Sequence, residues 1–123
     1  MKANFLEKAK ENLKAAQLLF DNALYNAMAN RAYYAVFHAA IAALAAAGYN
    51  LQMRYEAVHS MFNGELIRRR KLYPGDLSSY LKDLQDTRND ADYSMKQISK
   101  KVASKILTKT ERFVTTIEKE INS

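Results

Sequence analysis

Arg88 occupies a position where helical spacing calls for a leucine. From Asp76 to Tyr93, the residues Leu77, Leu81, Leu84, Arg88 and Ala91 step by four and three, so all five share one face of a helix. A full charge buried without partners costs several kcal/mol, so a guanidinium on that stripe calls for a carboxylate, a facing subunit or an anionic ligand. Asn89, Asp90, Asp92 and Tyr93 make the end of this helix polar. Arg88 suits phosphate, which its fork can hold with two hydrogen bonds. Asp90 and Asp92 have two readings: they take part in ligand binding, or they neutralise Arg88 or Arg31 in a structural ion-pair network. Asp83 and Asp86 read as surface carboxylates.

A second polar patch lies upstream. Arg31, Tyr34 and His38 fall on one side of a helix at i, i+3 and i+7, beside the stripe of Tyr33 and Phe37. Tyr34 and His38 also fit as amphipathic packing residues with hydrogen-bonded tips. Other chemistries have no residues to carry them. The chain has no cysteine, hence no disulfide, thiol nucleophile or thiolate metal site. His38 and His59 are not a turn apart, so no metal is expected. Gly48, Gly64 and Gly75 stand alone, so there is no glycine-rich phosphate loop. No cofactor is expected.

The elements that must position these groups are helical. One proline and three glycines interrupt a chain rich in alanine, leucine and lysine. A first helix is predicted from Asn4 to Asp21, with Leu6, Ala9, Leu13, Ala16 and Phe20 inward and Lys8, Lys10 and Lys14 facing water. After a joint at Asn22 to Asn26, a second helix runs to Ala47 and stops at Gly48, with Tyr33, Phe37, Ala40, Ile41 and Leu44 inward. Its many alanines allow close approach of neighbours, which makes it the central helix. A third, from Arg54 to Lys71, turns Val58, Phe62 and Leu66 inward and crowds Arg68, Arg69, Arg70 and Lys71 at its negative dipole end. Tyr73, Pro74 and Gly75 form a turn, and Asp76 is placed to cap the fourth helix. The pattern loosens between Tyr93 and Ser99. A fifth helix then runs to Ile121, with Ile98, Val102, Ile106, Phe113 and Ile117 inward and Lys101, Lys105, Lys109 and Arg112 along a solvated face. Short joints favour antiparallel neighbours, so the expected fold is all-α, an up-and-down four-helix bundle with one additional helix.

With 123 residues, the chain is read as one helical domain over 1–123. Met1 to Lys10 lacks the apolar run of a signal peptide, and Ala39 to Ala47 is far short of the roughly 20 residues a membrane span needs. A soluble, cytoplasmic protein with no membrane partner is expected. The net charge of +6 and a pI near 9.5 favour acidic partners such as nucleic acid, and equally serve solubility.

Three phrases resemble the prokaryotic HEPN domain family when taken together in this order: Asn30-Arg31-Ala32-Tyr33-Tyr34-Ala35-Val36-Phe37-His38-Ala39-Ala40, the pair His59-Ser60, and Arg88-Asn89-Asp90-Ala91-Asp92-Tyr93. The resemblance covers the chain from the first helix to Phe113. It implies a HEPN-like bundle that forms a symmetric homodimer. In that family an Arg, four to six residues and then a His lie near the dimer interface, where two copies compose a metal-independent ribonuclease site. Members often pair with a minimal nucleotidyltransferase as the toxin of a toxin-antitoxin system, and others bind nucleotides or serve as non-catalytic accessory domains. Arg88 and Asn89 match the opening of the motif, but Tyr93 stands where histidine is expected.

That departure bears on the chemistry. Cleavage through the ribose 2′-hydroxyl needs a proton acceptor, and a phenol with a pKa of about 10 stays protonated at neutral pH. Arg88 can still stabilise an anionic phosphorane. The site implied is therefore Arg88, Asn89, Tyr93 and His38 for catalysis, with Arg31, Tyr34 and Asp92 for RNA or nucleotide binding and weak or absent ribonuclease activity. His38 compensates for the missing histidine only if folding brings it to Arg88. Tyr93 is also a modification candidate, because in related toxin pairs the nucleotidyltransferase attaches AMP to a tyrosine beside the motif. The alternative is a non-catalytic dimeric scaffold in which the Arg88 cluster is structural.

Overall fold

A computed structural model describes residues 2–50 and 55–123, and it contains helices and no strand among them. Helix α1, Lys2–Asp21, is joined by three residues to α2, Tyr25–Ala46. A 3-10 turn, Tyr55–Ala57, leads into α3, Val58–Met61, which continues as a wider π-helical segment, Phe62–Arg69. A second 3-10 turn, Gly75–Ser79, precedes α4, Tyr80–Tyr93, and α5 is Lys100–Ile121. The four long helices form the up-and-down bundle, and the α3 region adds to one side of it.

Helix α2 is the centre. It packs on α1, α4 and α5, and Ala29, Ala32, Ala35, Ala39, Ala40, Ala42 and Ala43 are buried along it. Methyl groups in place of longer side chains let three neighbours approach one axis, so burial runs around most of the helix rather than along one stripe. Phe62 and Phe113 pack in a tilted pair at 5.2 Å between ring centroids in the core, and buried Tyr73 joins them at 5.5 Å from Phe62. Removing a large core side chain such as Phe113 costs about 3–5 kcal/mol in comparable interiors.

The ends of α1 and α2 share a hydrogen-bond pattern. After α2, Gly48 at φ +95 turns the chain, Gly48 N donates to Ala45 O at 3.1 Å and Tyr49 N to Leu44 O at 3.0 Å. This is the Schellman closure, and the glycine there is the predicted stop. After α1 the same two bonds recur, from Ala23 N to Phe20 O at 3.0 Å and from Leu24 N to Leu19 O at 2.9 Å. The left-handed position is held there by Ala23 at φ 59, a conformation that strains a residue with a Cβ. Because that closure takes only Asn22 to Leu24, α2 begins at Tyr25, earlier than the predicted joint allows.

Two further expectations change. Asp76 does not cap α4: its carboxylate accepts from Arg112 Nε at 2.7 Å and Nη2 at 2.9 Å, and from Tyr80 Oη at 3.2 Å. The chain enters α4 through a 3-10 turn, which leaves Asp76 free to tie that entry to α5. Val102 is 40% exposed, because the inward row of α5 steps back from Ile106 by three to Ala103 rather than by four. Val102 N instead donates to Ser99 Oγ at 3.2 Å, the N-terminal cap of α5. The start of the third helix at Arg54 lies outside the described residues. Beyond it, Val58, Phe62 and Leu66 are buried as expected, and Ile67 joins them because a π-helical turn repeats near every fifth residue.

The lysine row on α5 is not purely solvated. Lys109 pairs with Asp83 at 3.0 Å and Arg112 with Asp76, which joins α5 to α4 and its entry turn. Asp83 is thus part of an interhelical pair, while Asp86 pairs with Lys82 one turn away at 2.7 Å. No described helix is long and apolar enough to cross a membrane.

Candidate functional site

The end of α4 that carries Arg88 meets the first half of α2. Leu81 and Leu84 are fully buried on the same face, and Arg88 follows them with its side chain 20% exposed. Two phenol rings of α2 bracket the guanidinium: its Cζ lies 5.5 Å from the Tyr33 centroid and 5.4 Å from that of Tyr34. A cation held against ring faces gains about 0.5–2 kcal/mol, more as water is excluded. Asp92, one turn on, brings Oδ2 to 3.4 Å from Arg88 Nε, an ion pair. The contact is too poor in geometry for a hydrogen bond, so buried Nε is unsatisfied and the guanidinium makes no hydrogen bond to any described residue.

Asp92 Oδ2 instead accepts from Asn30 Nδ2 at 3.0 Å. Asn30 Oδ1 in turn accepts from Arg31 Nη2 at 2.6 Å and Nε at 3.2 Å. Arg31 Nη1 donates to Asn12 Oδ1 at 3.1 Å, and Asn12 Nδ2 lies 3.2 Å from His38 Nδ1. A continuous polar relay therefore runs from α4 across α2 to α1. Tyr34 sits in its middle, with the Arg31 guanidinium 5.3 Å and the His38 ring 6.0 Å from its centroid. The cluster holds two guanidiniums and one carboxylate, of which only Arg88 pairs with Asp92, so it carries an excess of one positive charge.

His38 is half-buried among Phe5, Tyr34 and Phe37. That burial, with Lys8 and Arg31 adding repulsion, holds its pKa below the ordinary histidine value. The imidazole is therefore neutral at pH 7. It joins the Arg88 cluster through Asn12, Arg31, Asn30 and Asp92 rather than by touching the guanidinium. Burial raises the Tyr33 phenol, with Arg88 pulling the other way.

The structure thus gathers Arg88, Asp92, Arg31, Tyr34 and His38 into one network. It leaves Asn89, Asp90 and Tyr93 exposed at the end of α4, with Tyr93 at 77%. Among the described residues, Tyr93 makes no polar or ring contact with the cluster. Asn12 and Asn30 are connectors that the sequence did not single out as functional. The available signal was an asparagine in the interior of each of two helices, where that residue is intrinsically unfavourable. Tyr33, read as a core residue, is also a wall of the Arg88 niche.

Comparisons with known proteins place the whole chain in one family. The HEPN domain family model matches residues 3–121. A candidate toxin of Methanocaldococcus jannaschii is 33% identical over 120 residues, covering 94% of this chain and 85% of that protein. A second candidate toxin of the same organism is 29% identical over 119 residues, covering 96% of this chain and 80% of its own length. An Archaeoglobus fulgidus protein named only by its sequence family is 30% identical over 118 residues, covering 95% of this chain and 92% of that protein.

Proposed function

Because this chain belongs to the HEPN domain family, we propose that it is an RNA- or nucleotide-binding component of a toxin-antitoxin type system. It works as one homodimeric helical unit in the cytoplasm and pairs with a minimal nucleotidyltransferase. The observation that carries this reading is the state of Arg88. Tyr33, Tyr34 and Asp92 fix its direction, yet its guanidinium makes no hydrogen bond to any described residue. A phosphate would supply the missing acceptors, and the unbalanced positive charge of the cluster favours an anion. The names of the two Methanocaldococcus relatives support the toxin assignment.

Ribonuclease activity is weak or absent. The proton acceptor would have to be Tyr93, which offers a phenol where the family motif has an imidazole, or His38, which does not touch Arg88. Arg88 and Asn89 therefore bind and polarise phosphate without an imidazole in contact with them. The exposure of Tyr93 suits it to modification. In that step the phenol oxygen bonds to the α-phosphorus of ATP, pyrophosphate leaves, and the phenol proton passes to solvent or to a base of the nucleotidyltransferase.

One observation favours a second reading, in which the cluster is a structural fastening. Arg88 already has Asp92 and two rings as neighbours, and such a set can hold a protein seam without any ligand. Calorimetric titration with single-stranded RNA and with ATP separates the two, run beside incubation with cellular RNA. The expected result is heat of binding that Arg88→Ala removes, with RNA left largely intact. A folded wild-type protein that gives no heat with either ligand overturns the binding reading and leaves the scaffold.

A further inference from the structure

A recess beside the Arg88 cluster holds polar groups that the cluster does not use. It has a volume of about 410 Å³, lies between α2, the α3 region and α4, and is lined by Tyr33, Phe37, Glu56, His59 and Gln85. Small-molecule sites commonly have about 300–1,000 Å³, aromatic walls and a few convergent polar groups. His59 Nε2 is 3.0 Å from Tyr33 Oη, and Gln85 lines the recess from α4. The His59 ring lies 6.0 Å from Tyr33 and 6.3 Å from Phe37, centroid to centroid, so the wall is a continuous aromatic surface. Burial, assisted by Lys82, keeps His59 below the ordinary histidine pKa, and a neutral ring both donates and accepts hydrogen bonds.

The recess and Arg88 are neighbours through two residues. Tyr33 offers its hydroxyl to the recess while its ring faces the guanidinium at 5.5 Å. Gln85 and Arg88 are three apart on α4, which places their Cβ atoms about 5–6 Å from one another. An aromatic cavity one helical step from a phosphate-binding fork has the layout of a single nucleotide. Proteins read single-stranded RNA in this way, stacking an unstacked base on aromatic rings and hydrogen-bonding its edge. The carboxylate of Glu56 on the rim accepts hydrogen bonds and so favours a base with an exocyclic amino group.

Deepening the binding reading on which it rests, we propose that this recess is a nucleobase subsite for adenine or cytosine in single-stranded RNA, with Arg88 holding the adjoining phosphate. Glu56 and His59 read the base edge, and Tyr33 and Phe37 provide the stacking surface. Glu56, His59 and Phe37 lie outside the Arg88 cluster, and Tyr33 is shared between the two.

The test is titration of isotope-labelled protein, followed by NMR, with AMP and with short oligonucleotides of A, C and U. Wild type is compared with Glu56→Gln, His59→Gln and Arg88→Ala. Glu56 is exposed, and glutamine at 59 keeps a partner for the Tyr33 hydroxyl, so both recess variants retain the fold. Shifts are expected at Phe37, His59 and Gln85, with A and C oligomers bound more tightly than U. Glu56→Gln and His59→Gln should each reduce that preference at least about threefold, a change a merely structural role would not produce. Arg88→Ala should weaken all three oligomers alike. Binding that depends on Arg88 but leaves the recess signals and the base preference unmoved overturns the subsite alone. No binding of any nucleotide by the wild type overturns the subsite together with the reading beneath it.

Discussion

Arg88 was legible in the sequence as an anomaly, and its surroundings were legible only in part. Spacing alone showed a guanidinium on an apolar stripe but left open whether Asp90 or Asp92 would meet it; the structure pairs it with Asp92 one turn later. The bracketing by Tyr33 and Tyr34 and the relay through Asn30 and Asn12 depend on how α2 faces α4 and α1, which no local pattern encodes. The two histidines give a prediction at this scale. Both have folded-state pKa values below the unfolded value of about 6.5, so the folded protein takes up their protons less readily than the unfolded chain. Their contribution is fully present above about pH 6.5 and is lost as pH falls from there through the lowered folded values. Denaturant unfolding should therefore show lower stability at about pH 5.5 than at 7.5, with a flatter profile in the His38→Gln, His59→Gln double variant. The paired carboxylates Asp76 and Glu65 have lowered pKa values and lose their effect only in more acidic solution. An unchanged pH profile in the double variant would mean that other groups set the acid sensitivity.

The helices were legible because their period is local, and the errors fell where tertiary contacts choose between neighbouring positions. Val102 and Ala103 both fit an apolar row on α5, and only the packing against α2 selects Ala103. Asp76 has the chemistry of a cap, but the bidentate pair with Arg112 on α5 claims it. The helix ends give a paired prediction. Gly48 has nothing within 4 Å of an added Cβ, so Gly48→Ala meets backbone strain alone and should cost about 1–2 kcal/mol. Ala23 holds the equivalent position after α1, where Ala23→Gly relieves the same strain. That relief offsets the added freedom of the unfolded chain, so the change should be neutral or stabilising by up to about 1 kcal/mol. Thermal unfolding of the two variants should move in opposite directions or, for Ala23→Gly, not move at all. A loss of stability in Ala23→Gly would show that the two closures are not equivalent.

At the scale of the molecule, an alanine-rich central helix lets α1 and α4 meet either side of one stretch of α2, and that meeting creates the polar relay. The bundle contributes position: it holds Arg88 in a partly dry niche between two phenol rings and leaves Tyr93 exposed at the tip of α4. Composition hinted at an anionic partner through the net charge of +6, but charge on a surface does not say where such a partner sits. The most direct measurement is the affinity of the whole protein for single-stranded RNA across a range of salt concentrations, for wild type and for Arg88→Ala. The expected result is at least about tenfold weaker binding in the variant at low salt, with a salt slope shallower by roughly one phosphate contact per protomer. Equal affinity and equal slope in a folded Arg88→Ala protein would show that the guanidinium fastens the helices and does not meet the ligand.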